Sequence, residues 1–414
     1  MSSPPPSGPP GGIVGAGRIV GQAAVGGTIA FATLLAIGQL LAGVGSLLIG
    51  AYGLWSWVKV GLLTALLSLR ADVVATVEGP PIFRTAAEST RLHVRFVPMV
   101  LTIGFLWLAA RAGRRAARAG GARPALVAAG LAAAGAAAPA VILSAVCATL
   151  VNLSFPALEL RLEVNMAGAA LWAGTLAMAG AGTGGYLEAT GGWMSRAAIR
   201  GGLAAYGWAL GLLAGGVFVI ATLEPTVTRH YVDGVTGLGT GGGLLISAHV
   251  LAIPAQSALL LAPASGSCLE MIGEGAVFEL CPWHLVGSGP VGGSFLPEPL
   301  QLAPSLWLLS VMPFIAALLG GRKAVAGTAV TRGRAAGLGA AAGMAFASLV
   351  IVGGWFVAPR FASVLVPGRH IWVHPAWVRT ALAALIWGAS GGALGAWLAA
   401  RRYERPELRM PTSA

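Results

Sequence analysis

The sequence predicts an all-α, polytopic membrane protein, and three observations carry that prediction. Of the 414 residues, 56% are hydrophobic and only 10% are charged, where a soluble domain has roughly a quarter charged; mean hydropathy is +0.80. Apolar runs of about 20 residues, the helical length needed to cross a hydrocarbon core of about 30 Å, recur along the whole chain. Lys and Arg gather in short clusters beside those runs, where orientation signals lie. The 62 glycines and abundant alanines suit transmembrane helices, whose backbones approach closely through small residues. A soluble enzyme and a DNA-binding domain are excluded. The net charge of +12 reflects the basic clusters bordering the spans rather than a nucleic-acid surface.

In chain order, residues 1–27, Pro/Gly/Ser-rich with the single Arg18, read as a flexible cytoplasmic tail without the n-region or cleavage site of a signal peptide. Eight spans follow, near 28–51, 93–110, 125–150, 166–187, 202–223, 301–320, 335–357 and 377–400. Residues 401–414 form a basic cytoplasmic tail. Two further apolar stretches, 53–69 and 242–262, are ambiguous by length, and charge decides them. Basic clusters follow the second span (Arg111, Arg114, Arg115, Arg118, Arg123), the fourth (Arg196, Arg200), the sixth (Arg322, Lys323, Arg332, Arg334) and the eighth (Arg401, Arg402, Arg405, Arg409). With eight spans and both termini inside, the inner side carries 16 Lys/Arg against 3 Asp/Glu, and the outer side 10 against 11. A full crossing by 242–262 would put the 322–334 cluster outside. Both stretches therefore read as re-entrant or interfacial helices entered from the outer face, their polar ends covered by protein or water.

The elements then repeat in order: span, re-entrant stretch, span with basic stop, span, outer loop, span with basic stop. This predicts a tandem 4+4 parallel repeat, with a first membrane repeat over 28–200 and a second over 201–400 that includes an outer loop at 263–300. Three short identities support it: Leu40–Gly43 with Leu212–Gly215, Ala128–Leu131 with Ala335–Leu338, and Gly184–Leu187 with Gly395–Leu398, at offsets of 172, 207 and 211. Chance identity in a Gly/Ala-rich chain is the competing explanation. Parallel repeats of this kind are a transporter architecture, with substrates bound near half-helices at the repeat interface.

Most motif matches dissolve on inspection. Gly15–Gly21 imitates a dinucleotide fingerprint with one residue too many, ahead of a span and outside any βαβ unit. Gly388-Ala389-Ser390-Gly391 resembles the serine motif of rhomboid proteases, yet no later helix follows to supply the histidine. No HExxH, Walker A or CxxC motif occurs, so no enzyme is expected, and no cofactor or metal. Cys268 and Cys281 share the outer loop, where a disulfide is permitted and closure would contribute about 3 kcal/mol; Cys147 lies in a span. A metal site from Cys281, His284 and one of Glu270, Glu274 or Glu279 is the lesser alternative, free thiols another.

All six histidines (93, 230, 249, 284, 370 and 374) fall on the outer side or in the outer-facing stretch, either as pH or metal sensors or simply because the outer loops hold most polar residues. Within the apolar belt stand Gln39, Lys59, His249 and Gln256, costly at membrane depth unless they face a cavity or partner. Lys59 and His249 occupy corresponding stretches of the two halves and mark a water-filled outer vestibule. Against this, Lys59 could snorkel from an interfacial helix between Trp55 and Trp57, with His249 in a structural hydrogen bond.

With Phe105-Leu106-Trp107-Leu108-Ala109-Ala110-Arg111-Ala112-Gly113-Arg114-Arg115 ending an early span and Ala252-Ile253-Pro254-Ala255-Gln256 before a Gly/Pro-rich loop, the chain resembles an actinobacterial family of uncharacterised multi-pass membrane proteins, some described as cell-division proteins. The expectation is a non-enzymatic inner-membrane scaffold of the bacterial envelope or division machinery, both termini cytoplasmic. Its partners would be the lipid bilayer and other membrane proteins, and not nucleic acid. The alternative is a secondary transporter or permease with a small-molecule or ion site between the halves.

Overall fold

The computed structural model describes residues 13–49, 54–77, 90–95, 97–121, 124–155, 160–190, 193–223, 253–273, 276–281, 304–328, 330–363 and 370–400. They fall into two compact units, Met1–Gly192 and Trp193–Ala414.

The first unit comprises α1 (Ile13–Ile49), α2 (Leu54–Ser68), β1 (Val73–Val77), β2 (Thr90–Arg95), α3 (Met99–Ala119), α4 (Ala125–Leu150), β3 (Asn152–Phe155), β4 (Leu160–Val164) and α5 (Met166–Ala189). Its four long helices arise from runs of Ala, Gly, Leu and Val closed by local stops. Helix α3 ends at Gly120 and at Gly121, whose φ is +76°. Pro124, unable to donate a hydrogen bond, precedes α4. Asn165 caps α5, its side chain accepting from the Gly168 N–H at 3.1 Å. The strands form an antiparallel sheet in the order β3-β4-β1-β2, with Val73 opposite both Val94 and Val164. Since β1 follows α2, β2 precedes α3, and β3 and β4 join α4 to α5, the sheet caps one end of the helices. Arg111–Arg118 stand at the other end.

Helix α2 has 15 residues, shorter than the long helices. It runs back along the last part of α1, with Gly43 against Trp57, Gln39 beside Val58, and Gly38 against Gly61 and Ala65, and delivers the chain to β1 at the sheet end.

The second unit comprises α6 (Trp193–Leu223), a short α7 (Ile253–Ala264), β5 (Leu269–Gly273), β6 (Ala276–Leu280), a 3₁₀ turn (Pro304–Val311) running into α8 (Met312–Val325), α9 (Arg332–Val357), β7 (Arg360–Ser363), β8 (His370–Pro375) and α10 (Trp377–Ala400). Its strand order is β7-β8-β5-β6, antiparallel throughout.

The units correspond at the level of single hydrogen bonds. In the first, the Leu69, Arg70 and Ala71 N–H groups donate to Leu66, Leu67 and Leu66 carbonyls; in the second, Ser265, Gly266 and Ser267 donate to Ala262, Pro263 and Ala262. Both stops turn on a left-handed residue, Arg70 at φ +64° and Gly266 at +94°. The Asn165 N–H donates to the Asp72 carbonyl at 2.9 Å, and the Ala376 N–H to that of Cys268 at 2.8 Å. Helices α4 and α9 each span 26 residues and start 207 positions apart; α5 and α10 each span 24 and start 211 apart. Close approaches pair likewise, Gly113 on Ala181 with Gly321 on Gly392, and Gly184 on Ala110 with Gly395 on Leu318.

Several expectations are revised. Residues 90–95 are strand, so the predicted 93–110 span becomes a helix from Met99 to Ala119 that carries four arginines in its last turns. Helix α1 begins at Ile13, inside the stretch assigned to a flexible tail. Among the described residues, eight short strands accompany the helices of a mainly helical chain, and within 263–300 lie the end of α7 and the β5–β6 hairpin. Six helices among the described residues are long and apolar enough to cross a membrane: α1, α4, α6, the helix over Leu308–Val325, α9 and α10. Helices α3 and α5 have comparable length, but arginines in one and glycines in the other lower their hydropathy. The Leu40–Gly43 identity with Leu212–Gly215 is out of register by packing. Gly26 of α1 meets Ala112 of α3, whereas Ala205 of α6 meets Gly320 of α8, an offset near 179 for the first helices rather than 172. The 401–414 tail and residues 242–252 lie outside the described residues.

Candidate functional site at the sheet ends

Each unit holds bonded polar side chains where its helices meet the sheet. In the second unit, β5 and β8 set Glu270 directly opposite His374. The imidazole is buried at 5% exposure, 4.3 Å from the Trp372 ring and stacked on Trp377 at 5.8 Å with an interplanar angle of 7°. Its Nδ1 lies 3.0 Å from the Pro375 carbonyl oxygen and 3.7 Å from Glu270 Oε2. Nε2 is buried and has no partner among the described residues. Beside this pair, Cys268 and Cys281 extend the β5–β6 hairpin by one position and bring their sulfurs to disulfide distance, 2.00 Å. Both are fully buried and pack on Ala376. Arg379 Nη1 stands 3.7 Å from Cys268 Sγ, and Ser267 and Thr380 share a 2.8 Å hydrogen bond beneath.

Among the described residues, the grouping that could serve as metal ligands is Cys268, Glu279 and Cys281, whose donor atoms lie within 4.8 Å of one another. Sulfurs bonded to each other offer no thiolate, so that set fits a metal ion poorly. Of the metal-site alternative drawn from the sequence, His284 and Glu274 lie outside the described residues. Among the other histidines, 230 and 249 fall there too, and the side chains of His93 and His370 are not described.

In the first unit, Lys59 Nζ donates to the Asn152 carbonyl at 2.6 Å, tying α2 to the start of β3. Gln39 Nε2 donates to the Val58 carbonyl and the Trp57 indole N–H to the Gln39 carbonyl, both at 2.9 Å. These bonds lock α2 against α1. Gln256 is exposed on α7. Of the four vestibule residues, then, Lys59 and Gln39 serve the α1–α2 corner, Gln256 lies on another unit, and His249 is outside the described residues. The sequence did not single out the His374–Glu270 pair or Arg70, which is buried at 3% exposure with its guanidinium 4.3 Å from the Trp172 ring centroid. The alternation in Leu160-Arg161-Leu162-Glu163-Val164 was the available signal for a strand.

No protein-family model, curated protein or solved structure matches the chain. The six apolar helices make it an integral membrane protein of multi-pass helical character.

Proposed function

We propose that the protein is a non-enzymatic scaffold of the bacterial inner membrane, built from two parallel four-span repeats and serving the envelope or cell division. Counting α3 and α5 gives eight spans, in keeping with their 21 and 24 residues and their packing against α1 and α4. The matching element order, strand order and helix stops of the units support duplication. The charge asymmetry supports sheet ends outside and arginine ends inside, and the resemblance to cell-division membrane proteins points the same way.

The carrying observation is how the helices meet. Glycines in each unit lie so close to a neighbouring backbone that a Cβ would overlap it: Gly184 on Ala110, Gly113 on Ala181, Gly343 on Gly388, Gly339 on Gly392. Such contacts make each unit rigid, because a packed interface without side chains between helices has no slack to open and close. The sheet ends then present fixed antiparallel strands to partners.

The test is complementation of a deletion strain, scored by septation and envelope defects. Gly343→Leu and Gly184→Leu abolish function in the scaffold reading, while Lys59→Ala and His249→Ala preserve it. The opposite pattern, with a flux lost in Lys59→Ala and His249→Ala, establishes the transporter and overturns the scaffold.

A further inference from the structure

At the end of the first unit opposite the sheet, α1 and α3 stay packed along one seam, with Ile19 and Ala23 on Ala116 and Gly120 against Ile19, and leave a recess on the outer side of that seam. Gly26 lies against Ala112 at its edge, and a Cβ at Gly21 would meet no described residue within 4 Å. The recess is a groove of about 360 Å³ lined by Gln22, Val25, Leu108, Arg111 and Arg115 among others. A second groove of about 420 Å³ adjoins it, sharing Arg111 and Arg115 and adding Arg114 and Arg118. Among the described residues no carboxylate lines either groove.

Positions 111, 114, 115 and 118 follow the i, i+3, i+4, i+7 spacing of one helix face, and all four side chains are exposed. Orientation in the membrane explains why basic residues end this helix; it does not require a groove beneath them. Arg118 is already committed, donating through Nε and Nη2 to the two carboxylate oxygens of Glu188 at 2.8 and 3.1 Å. Arg111 lies 5.5 Å from the Trp107 ring centroid, and Arg111, Arg114 and Arg115 are left to meet an anion. Immediately along the same groove the surface turns apolar, with Val25 at 61%, Ile29 at 56% and Trp107 at 59% exposure.

We propose that this groove binds an anionic phospholipid. Its phosphate sits among the guanidinium groups of Arg111, Arg114 and Arg115, and one acyl chain lies along Val25, Ile29 and Leu108. Charge complementarity selects the headgroup: guanidinium forks suit phosphate oxygens in a bidentate manner. The exposed apolar stripe continuing from the arginines selects a lipid over a free phosphate, since only a lipid covers both.

The test uses the full-length protein, purified in detergent and returned to nanodiscs of phosphatidylcholine with or without phosphatidylglycerol, and scores lipid retained by native mass spectrometry. Phosphatidylglycerol should be retained at least tenfold over phosphatidylcholine, and inorganic phosphate should not displace it. Arg111→Gln and Arg115→Gln should each lower retention about fivefold. Gly21→Leu, which fills the groove without a clash and leaves every arginine in place, should lower it as much. Arg322→Gln, in the basic end of the other unit, should change nothing. Equal retention of the two lipids overturns the proposal, as does displacement by inorganic phosphate. An Arg322→Gln effect as large as that of Arg111→Gln would reduce it to bulk charge, and unchanged retention in Gly21→Leu would show that the groove is not the site.

Discussion

Helix α9 carries two glycines six positions apart in opposite situations, and alanine at each should move stability in opposite directions. At Gly343, a new Cβ would fall within the carbonyl of Gly388 on α10 and 2.7 Å from the Ala389 nitrogen. Backbone atoms cannot rotate away, and ordinary carbon–oxygen contacts sit near about 3.3–3.6 Å, so the helices must separate by roughly an ångström. Overpacking of this kind costs about 1–3 kcal/mol, and the loss spreads along the interface because Gly339 and Gly392 meet one turn away. At Gly337 nothing lies within 4 Å, and alanine gains up to about 1 kcal/mol of helix propensity. The two variants should therefore differ by about 2–4 kcal/mol. For a unit of this size that separates their melting temperatures by roughly 5–15 °C. Thermal unfolding in detergent, followed by tryptophan fluorescence, reads the difference. Equal melting temperatures would refute the packing argument, and with it the rigidity on which the scaffold reading depends.

Three other outcomes follow from the same geometry. Gly266→Ala forces a Cβ into the left-handed stop after α7 and should cost about 1–2 kcal/mol, whereas Gly211→Ala, in open space on α6, should cost nothing measurable by thermal unfolding. Digestion without reductant should yield a peptide pair joining Cys268 to Cys281; Cys268→Ser removes it and lowers stability by about 3 kcal/mol, given the separation of 13 residues. Lys59→Met keeps the aliphatic stem but leaves the Asn152 carbonyl without its 2.6 Å donor, and should destabilise the first unit by about 1 kcal/mol without altering any transport.

The long helices were legible because lipid demands long uninterrupted apolar runs. The predicted spans at 125–150 and 377–400 coincide with α4 and α10 to the residue. The strands were not: Thr90–Arg95 is short, mixed in polarity and adjacent to an apolar run that absorbed part of it, and His370–Pro375 is too short and mixed to stand out from the outer loop before the last span. A hydropathy reading merges such a strand with the next helix, as it did at 93–110. The Glu270–His374 pair was out of reach because it is made by the β5–β8 register, which no local pattern encodes. Short identities misled where helices are low in complexity: Leu40–Gly43 matched Leu212–Gly215, although the backbone contacts of Gly26 and Ala205 set a different register. Gly215, part of that match, has no described residue within 4 Å of where a Cβ would stand.

The account rests on two repeats inserted in the same direction, sheet ends outside and arginine ends inside. Single cysteines in a Cys147→Ala background test it in intact cells with a membrane-impermeant maleimide. The positions are Glu163 in β4 and Ser288 beyond β6 for the sheet ends, and Pro124 before α4 and Ala326 after α8 for the basic ends. The account predicts labelling at 163 and 288 in intact cells, and at 124 and 326 only after permeabilisation. Labelling of 163 and 326 from outside, with 124 and 288 protected, would mean that the two units are inserted in opposite directions and would contradict it.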